Sequence, residues 1–220
     1  MVGHFQEFED EYLEMMYECY EEDPSAHVRT GELAEKLSVS PASVTEMLRR
    51  LASKELVIYT PYKGAKLTET GLEHGQRMKR RHRLAELLLD VLPFKGNAHE
   101  TACRLEHAID DDLEVSLSLL FSNASEDPSG REIPEADVHI KSKLENIKSE
   151  YMLLSDIPDH TSCIVSAMFF SQPEKSILAK QGLELGTNII RREQEFQFDD
   201  SSLCELDDEL MSKILVKLVD

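Results

Sequence analysis

Between residues 30 and 68 the sequence leaves little choice of fold. "TGELAEKLSV" (30–39) carries Leu33, Ala34 and Leu37 at helical spacing, with Thr30 as the expected N-cap. "SPASVTEMLRRLASKE" (40–55) starts a second helix at once: Ser40 caps it, Pro41 occupies the first turn, and Val44, Met47, Leu48 and Leu51 make one apolar stripe. The connection is only about four residues long, the length of a helix-turn-helix corner. "LVIYT" (56–60) is β-branched and aromatic, "PYKG" turns the chain, and "AKLT" (65–68) returns it as a hairpin. Ahead of all this, "FEDEYLEMMYECYEE" (8–22) spaces Phe8, Tyr12, Met15, Met16, Cys19 and Tyr20 as a helix that Asp23-Pro24 ends. Helix, helix, tight turn, helix, hairpin is the order of a winged helix-turn-helix, although other small α+β domains share it.

Charge favours the winged reading. The 220-residue chain has a formal net charge of -19, which alone speaks against nucleic acid. Its distribution does not: from Val28 to Arg83 there are 12 Lys and Arg against 6 Asp and Glu, and the remaining 164 residues carry 12 against 37. A basic segment inside an acidic chain is the footprint of a local phosphate-binding surface. The reading helix is then Pro41 to Lys54. Ser40, Pro41, Ala42, Ser43, Thr45 and Glu46 lie at its N-terminal end, where base edges are met. Arg29, Arg49 and Arg50, with Lys63 and Lys66 on the wing, are the phosphate candidates. Arg80, Arg81 and Arg83 could contact phosphate or pair with nearby acids.

Composition closes other routes. No apolar run approaches the length of a membrane span, and "MVGHFQEFEDEYLEMM" lacks the basic and apolar segments of a signal peptide; a cytoplasmic protein is expected. Cys19, Cys103, Cys163 and Cys204 form no CxxC pair, which argues against a disulfide framework or zinc ribbon and leaves Cys103 a reduced thiol. No HExxH, Gly-rich phosphate loop or nucleophile motif is present, so an enzyme is not expected.

Beyond the hairpin, "TETGLEHGQRMKRRHRLAELLLDVLP" (68–93) predicts a long helix stopped by Pro93. "NAHETACRLEHAI" (97–109), with Asn97 as cap, and "DLEVSLSLLFSN" (112–123) predict two more helices. "ASEDPSGREIPEAD" (124–137) reads as a linker, and 138–150 is ambiguous between helix and strand. From Tyr151 the texture changes to short strand-like runs around one helix, "PEKSILAKQGLELGT", which suggests a small β-barrel.

Three stretches are rich in metal-ligating groups. "EDEYLE" offers Glu11 and Glu14 at i and i+3; "RRHRLAE" offers His82 and Glu86 at i and i+4. "HETACRLEH" offers His99, Cys103, Glu106 and His107 within nine positions, the last three on one face of a continuous helix. One such residue on a helix is ordinarily a solvated side chain; clustering of this density points to a divalent metal.

"EDEYLEMMYE", "VSPASVTEMLRRL", "LTETGLEHG", "RRHRLAELLL" and "HETACRLEHAIDDDLE" together resemble the diphtheria toxin repressor family of metal-dependent transcriptional regulators, with its iron and manganese branches. The tail, notably "AKQGLELGTNI" and "ILVKLV", resembles the SH3-like domain shared with ferrous-transport accessory proteins. The resemblance implies a mainly α protein: a winged helix-turn-helix DNA-binding domain (1–75), a helical metal-binding and dimerisation domain with its linker (76–137), and an SH3-like β-barrel (151–220). It implies a primary metal site at Glu11, Cys103, Glu106 and His107 and an ancillary site at His82, Glu86 and His99; Gln172 lies near where the iron branch borrows ligands from its tail, but the neighbouring carboxylate of that branch is replaced here by a hydrophobic residue. At the Glu11 position the iron branch usually has Met and the manganese branch Asp; at the Cys103 position they have Cys and Glu. This mixed sequence favours Fe(II) through Cys103 and the ancillary set, with Mn(II) the alternative; Zn(II), Co(II) and Ni(II) are expected to substitute in vitro.

The expected function is a repressor of metal-homeostasis genes that binds an inverted-repeat operator as a homodimer, with no membrane or small organic ligand among its partners. Leu84, Leu87, Leu88 and Val91, joined by Leu119 and Leu120, are the expected dimer surface. The alternative is a metal-buffering or ferrous-transport accessory protein without a DNA-binding role.

Overall fold

The capped, apolar-striped segments form helices where the periodicity places them. The structure, a computed structural model, describes residues 3–25, 27–122, 124–170, 178–193, 195–198 and 202–219, with the side chains of 3–6 undescribed. It divides into two units. The first is Met1–Leu89, Phe94–Asp110 and Ser125–Asp137; the second is Asp90–Pro93, Asp111–Ala124 and Val138–Asp220.

In the first unit, α1 (Gly3–Glu22), α2 (Thr30–Lys36) and α3 (Pro41–Ser53) precede a hairpin of β1 (Val57–Thr60) and β2 (Gly64–Leu67). The hairpin is antiparallel with Val57 opposite Leu67. Its core joins Leu13 and Met16 of α1 to Leu33, Val44, Leu48, Leu51, Val57 and Ala65. Ser40 caps α3, its side chain accepting from the Ser43 backbone N–H at 3.1 Å. Thr30 is not a cap: it is the first residue of α2, and the capping position falls on Arg29, whose side chain makes no cap bond. Phe8 and Tyr20 of the expected stripe are exposed, while Leu13 and Tyr17 are buried in their stead.

The long helix α4 (Glu69–Val91) lies against this core because two of its residues lack side chains. A Cβ on Gly71 would meet the Leu56 carbonyl oxygen at 1.9 Å, and one on Gly75 would meet that of Leu13 at 2.5 Å. Close approach at these positions brings the acidic face of α1 onto the polar face of α4. Helix α5 (Ala98–Leu105) is capped by Asn97, and a 3-10 turn, Glu106–Ala108, follows it. Residues 125–137 form no free linker. The backbone carbonyls of Pro134 and Glu135 accept from Arg80 and Gln76, that of Glu132 accepts from Arg83, and Asp137 pairs with Arg77. The segment is a strap along α4, held by the cationic side of that helix.

The second unit contains α6 (Asp111–Leu120), α7 (Val138–Ile147), and strands β3 (Tyr151–Leu153), β4 (Ser162–Met168), β5 (Asn188–Arg192), β6 (Glu195–Phe198), β7 (Leu203–Glu205) and β8 (Ile214–Leu218), with a short helix α8 (Asp208–Met211) before the last strand. The ambiguous stretch after 137 is thus helical. The strands make one sheet in the order β3-β8-β4-β5-β6-β7, every neighbouring pair antiparallel. This corrects the expected barrel: β3 and β7, three residues each, are unpaired outer edges among the described strands, so the sheet stays open. The chain is accordingly mixed α/β rather than mainly α. Phe196, Leu154, Leu183, Ile189 and Val216 are central to the core of this unit. Residues 173–177 of the helix expected to end at Gly182, and Gln172 itself, lie outside the described residues; 178–180 are helical, and Gly182 at φ 88 turns the chain after them.

Candidate metal centre and DNA-binding surface

The metal-ligating groups of α1, α4 and α5 meet in the first unit, in a different grouping from the expected one. His82, buried at 1% exposure, is the hub. Its Nδ1 donates to Glu106 Oε2 at 2.6 Å, and its Nε2 lies 3.3 Å from Glu86 Oε1. The same Glu86 oxygen is 3.2 Å from His99 Nδ1, and His99 Nε2 is 3.9 Å from Cys103 Sγ. The His82 and His99 rings meet edge to face, their centroids 5.0 Å apart. His82, His99 and Cys103 each offer a ligand atom within 4.8 Å of the others. Cys103 therefore stands with the expected ancillary residues, not beside Glu11.

Glu106 keeps helical angles, φ -53 and ψ -37, at the start of the 3-10 turn, so it stays on the side of Cys103, and both act on His82. Glu106 turns to His82, and His107 Nε2 lies 3.5 Å from Glu106 Oε1 while its Nδ1 lies 3.6 Å from Asp10 Oδ2. Asp10, buried at 8% exposure, also accepts from His74 Nε2 at 2.7 Å. Glu11, one residue on, is exposed and joins neither cluster among the described residues, although the His107 charge acts on it. Asp10 and His74 are the ligand-bearing residues that sequence reasoning missed. The signal was the i, i+4 spacing of Asp10 and Glu14, which puts those two on one face. Glu14 joins a second triad, with His82 and Glu106, whose ligand atoms again lie within 4.8 Å of one another.

The electrostatics are those of a cation site. Burial works against a charged His82, but the neighbouring Cys103, Glu106 and Glu86 outweigh it and raise its affinity for a proton. Burial pushes the Glu106 carboxyl up against the opposing pull of His82. Two buried ring nitrogens, His82 Nε2 and His107 Nδ1, have no hydrogen-bond partner among the described residues. A buried imidazole that donates from one nitrogen to a carboxylate and leaves the other unsatisfied suits ligation of a metal. The donor set of imidazole, carboxylate and thiol fits a divalent transition metal.

The strap touches this centre. Arg131 Nη2 is 2.7 Å from Glu86 Oε2, and Arg131 Nε is 2.7 Å from Asp127. Asp127 also accepts from Ser129 N, Ser129 Oγ and Arg131 N at 2.8, 2.7 and 3.0 Å. Burial raises its carboxyl pKa, but these bonds overcome that and hold it at about 2. Read as a linker, the segment hid both residues.

Most of the expected DNA-binding residues are exposed. Arg29, Ser40, Pro41, Ala42, Ser43, Glu46, Arg49, Arg50 and Lys63 are exposed; Thr45 and Lys66 are half-buried. Thr45 Oγ1 donates to the Pro41 carbonyl at 2.9 Å. Tyr62, fully exposed at the hairpin turn with φ 65, projects beside Lys63. Glu9 of α1, only 1% exposed, binds Arg50 Nε and Lys54 Nζ, each at 2.6 Å, at the far end of α3. Of the cations on α4, Arg83 pairs with Glu21 at 2.6 Å and Arg80 with the strap, so both have partners within the chain.

A winged helix-turn-helix joined through its first helix to a buried cluster of metal-binding groups defines a DNA-binding protein with a metal centre. Residues 4–65 match the N-terminal DNA-binding domain of iron dependent repressors, and residues 68–135 match their metal-binding and dimerisation domain. The chain belongs to the iron dependent repressor family, metal-dependent DNA-binding repressors that act on DNA as homodimers. An HTH-type transcriptional regulator of Methanocaldococcus jannaschii is 37% identical over 116 residues, 51% of this chain and 90% of that protein. The diphtheria toxin repressor of Corynebacterium diphtheriae is 33% identical over 128 residues, 57% of this chain and 56% of the relative; the match thus spans little more than half of that repressor's length. A solved manganese-dependent transcriptional repressor in complex with manganese has a similar fold, with a TM-score of 0.52 at 24% identity, covering 96% of this chain and 100% of that one. No described helix is long and apolar enough to cross a membrane.

Proposed function

We propose that this chain represses metal-homeostasis genes in response to divalent iron, with manganese the alternative activator. The observation that carries the reading is the double duty of α1: Glu9 grips Arg50 and Lys54 of the reading helix, while the adjacent Asp10 faces His107 and His74 of the metal centre. His82, Glu86, His99 and Cys103 form one ligand group; Glu106 and His107, with Asp10, form the other, in which Asp10 takes the place expected of Glu11. A bound divalent ion supplies positive charge that cancels the mutual repulsion of these carboxylates. Asp10 and His107 then fix α1 against α5, and Glu9 passes that position to α3. The coupling is reciprocal, so DNA tightens metal binding. The Cys103 thiol favours Fe(II) over the harder Mn(II).

In this reading residues 1–75 bind DNA, 76–137 hold metal and pair with a second copy, and 151–220 form an accessory domain. The pairing surface must differ from the expected one. Leu84 and Leu119 are already buried within the chain, whereas Leu87 and Leu88 are half-buried and Val91, Leu92 and Phe94 are exposed. The apolar groups near the end of α4, Leu87, Leu88 and Val91, are suited to a two-fold partner, and an inverted-repeat operator matches that symmetry. Ser40, Pro41, Ala42, Ser43, Thr45 and Glu46 meet base edges; Arg29, Arg49, Lys63 and Lys66 meet phosphates, with Tyr62 beside them.

The test selects DNA from a random pool with anaerobically Fe(II)- or Mn(II)-loaded protein and measures gel shift with metal, without it, and after chelator. Retention that needs metal, reverses with chelator and selects an inverted repeat is expected. Metal binding without DNA retention would instead identify a buffering or transport-accessory protein.

A further inference from the structure

Lys79 lies in the middle of α4 and is 2% exposed. A lysine this deeply buried needs a counter-charge, and Lys79 has two: its Nζ is 3.1 Å from Glu14 Oε1 and 2.5 Å from Glu18 Oε2. The Glu14 oxygen is also the one that lies 3.8 Å from His82 Nδ1. Glu14 thus stands between an ammonium and the hub of the metal centre. Glu14, His82 and Glu106 are all buried, with ligand atoms within 4.8 Å of one another, and by donor type they could hold a divalent ion that shares His82 and Glu106 with the metal centre.

We propose that Lys79 is an internal cation standing in for a further metal ion. Its ammonium occupies Glu14, so the chain binds metal without using that carboxylate. An ammonium and a divalent ion sharing one carboxylate oxygen repel each other in a buried site, and the ammonium, fixed to α4, is always present. Two neighbouring contacts extend the tie between α1 and α4: Arg83 to Glu21 at 2.6 Å and His74 to Asp10 at 2.7 Å. Lys79 therefore joins α1 to α4 whether or not metal is bound, and metal has only the Asp10 end of α1 to control. The inference rests on the proposed metal centre, but its consequence is a count of bound ions, independent of DNA.

The experiment counts ions per full-length chain by anaerobic Co(II) and Mn(II) titration calorimetry, followed by elemental analysis of gel-filtered protein. Lys79→Met, which removes the charge and keeps the bulk, should hold one more ion per chain than the parent. Lys79→Arg should keep the parent count. Glu14→Gln should leave the parent count unchanged, yet abolish the extra ion when added to Lys79→Met. An extra ion in Lys79→Met stands even if the parent binds none, an outcome that would sink the metal-responsive function alone. Equal counts in Lys79→Met and the parent, with both folded by circular dichroism, overturn the proposal. If Lys79→Met does not fold, Glu14→Gln decides: an unchanged count supports the internal cation, and loss of an ion overturns it.

Discussion

Asp127→Asn removes one buried charge from the strap while keeping its shape. The native carboxylate accepts four hydrogen bonds, from Ser129 N, Ser129 Oγ, Arg131 N and Arg131 Nε, at 2.7 to 3.0 Å. An amide can accept some of these, but its NH2 would face the Arg131 guanidinium, donor against donor. Arg131 would keep only Glu86, and Arg83 would lose the carboxylate 3.9 Å from its Nε. The carboxyl pKa is lowered from its ordinary 3.8 to about 2, which corresponds to roughly 2 kcal/mol in favour of the charged folded state. Because the folded value is the lower one, this stabilisation is present above pH 3.8 and is lost as pH falls through about 2. The variant should therefore be about 2 kcal/mol less stable near neutral pH, melting roughly 4–8 °C lower. The gap from the parent should hold steady above about pH 5 and close by roughly 2 kcal/mol between about pH 4 and pH 2. Urea unfolding followed by circular dichroism across that range measures it, with amide exchange in residues 125–137 as a local report. A variant within about 0.5 kcal/mol of the parent at neutral pH, or a deficit equally large at the acid end, would refute the assignment of a buried ionised carboxylate.

Two further outcomes are expected. Cys103→Ala should weaken Fe(II) and Co(II) binding by about tenfold or more while affecting Mn(II) less, and should remove the near-ultraviolet thiolate absorption of the Co(II) form; parent-like titrations with all three metals would make Cys103 a packing residue. Lys63→Ala, on the exposed wing, should weaken binding to every DNA sequence alike and lower the slope of log K against log salt by about 0.9. An effect confined to one base pair would place Lys63 in direct readout instead.

Local chemistry made much of this protein legible before any fold was known. The Ser40 and Asn97 caps, the apolar stripe Val44–Leu48–Leu51 and the β-branched hairpin runs depend on residues a few positions apart, and the structure has them where the spacing predicts. The density of ligand groups in "HETACRLEH" likewise needed no partner to be noticed. Their grouping did. Adjacent residues on a helix point about 100° apart, so a sequence that fixes α1 as a helix does not choose between Asp10 and Glu11. That choice falls to the close packing at Gly75, which brings α4 against α1 and buries Asp10 while Glu11 stays exposed. The partners of Glu106 and His107, His82 on α4 and Asp10 on α1, come from other elements and could not be read from helical spacing. The strap looked like a linker because its Pro, Gly and Ser carry no periodicity; its order comes from hydrogen bonds to arginines about fifty residues away in the chain. The tail read as strands because alternation is local, whereas barrel or open sheet depends on whether β3 and β7 meet. Strand propensity carries no information about that, and the tertiary structure leaves both edges unpaired.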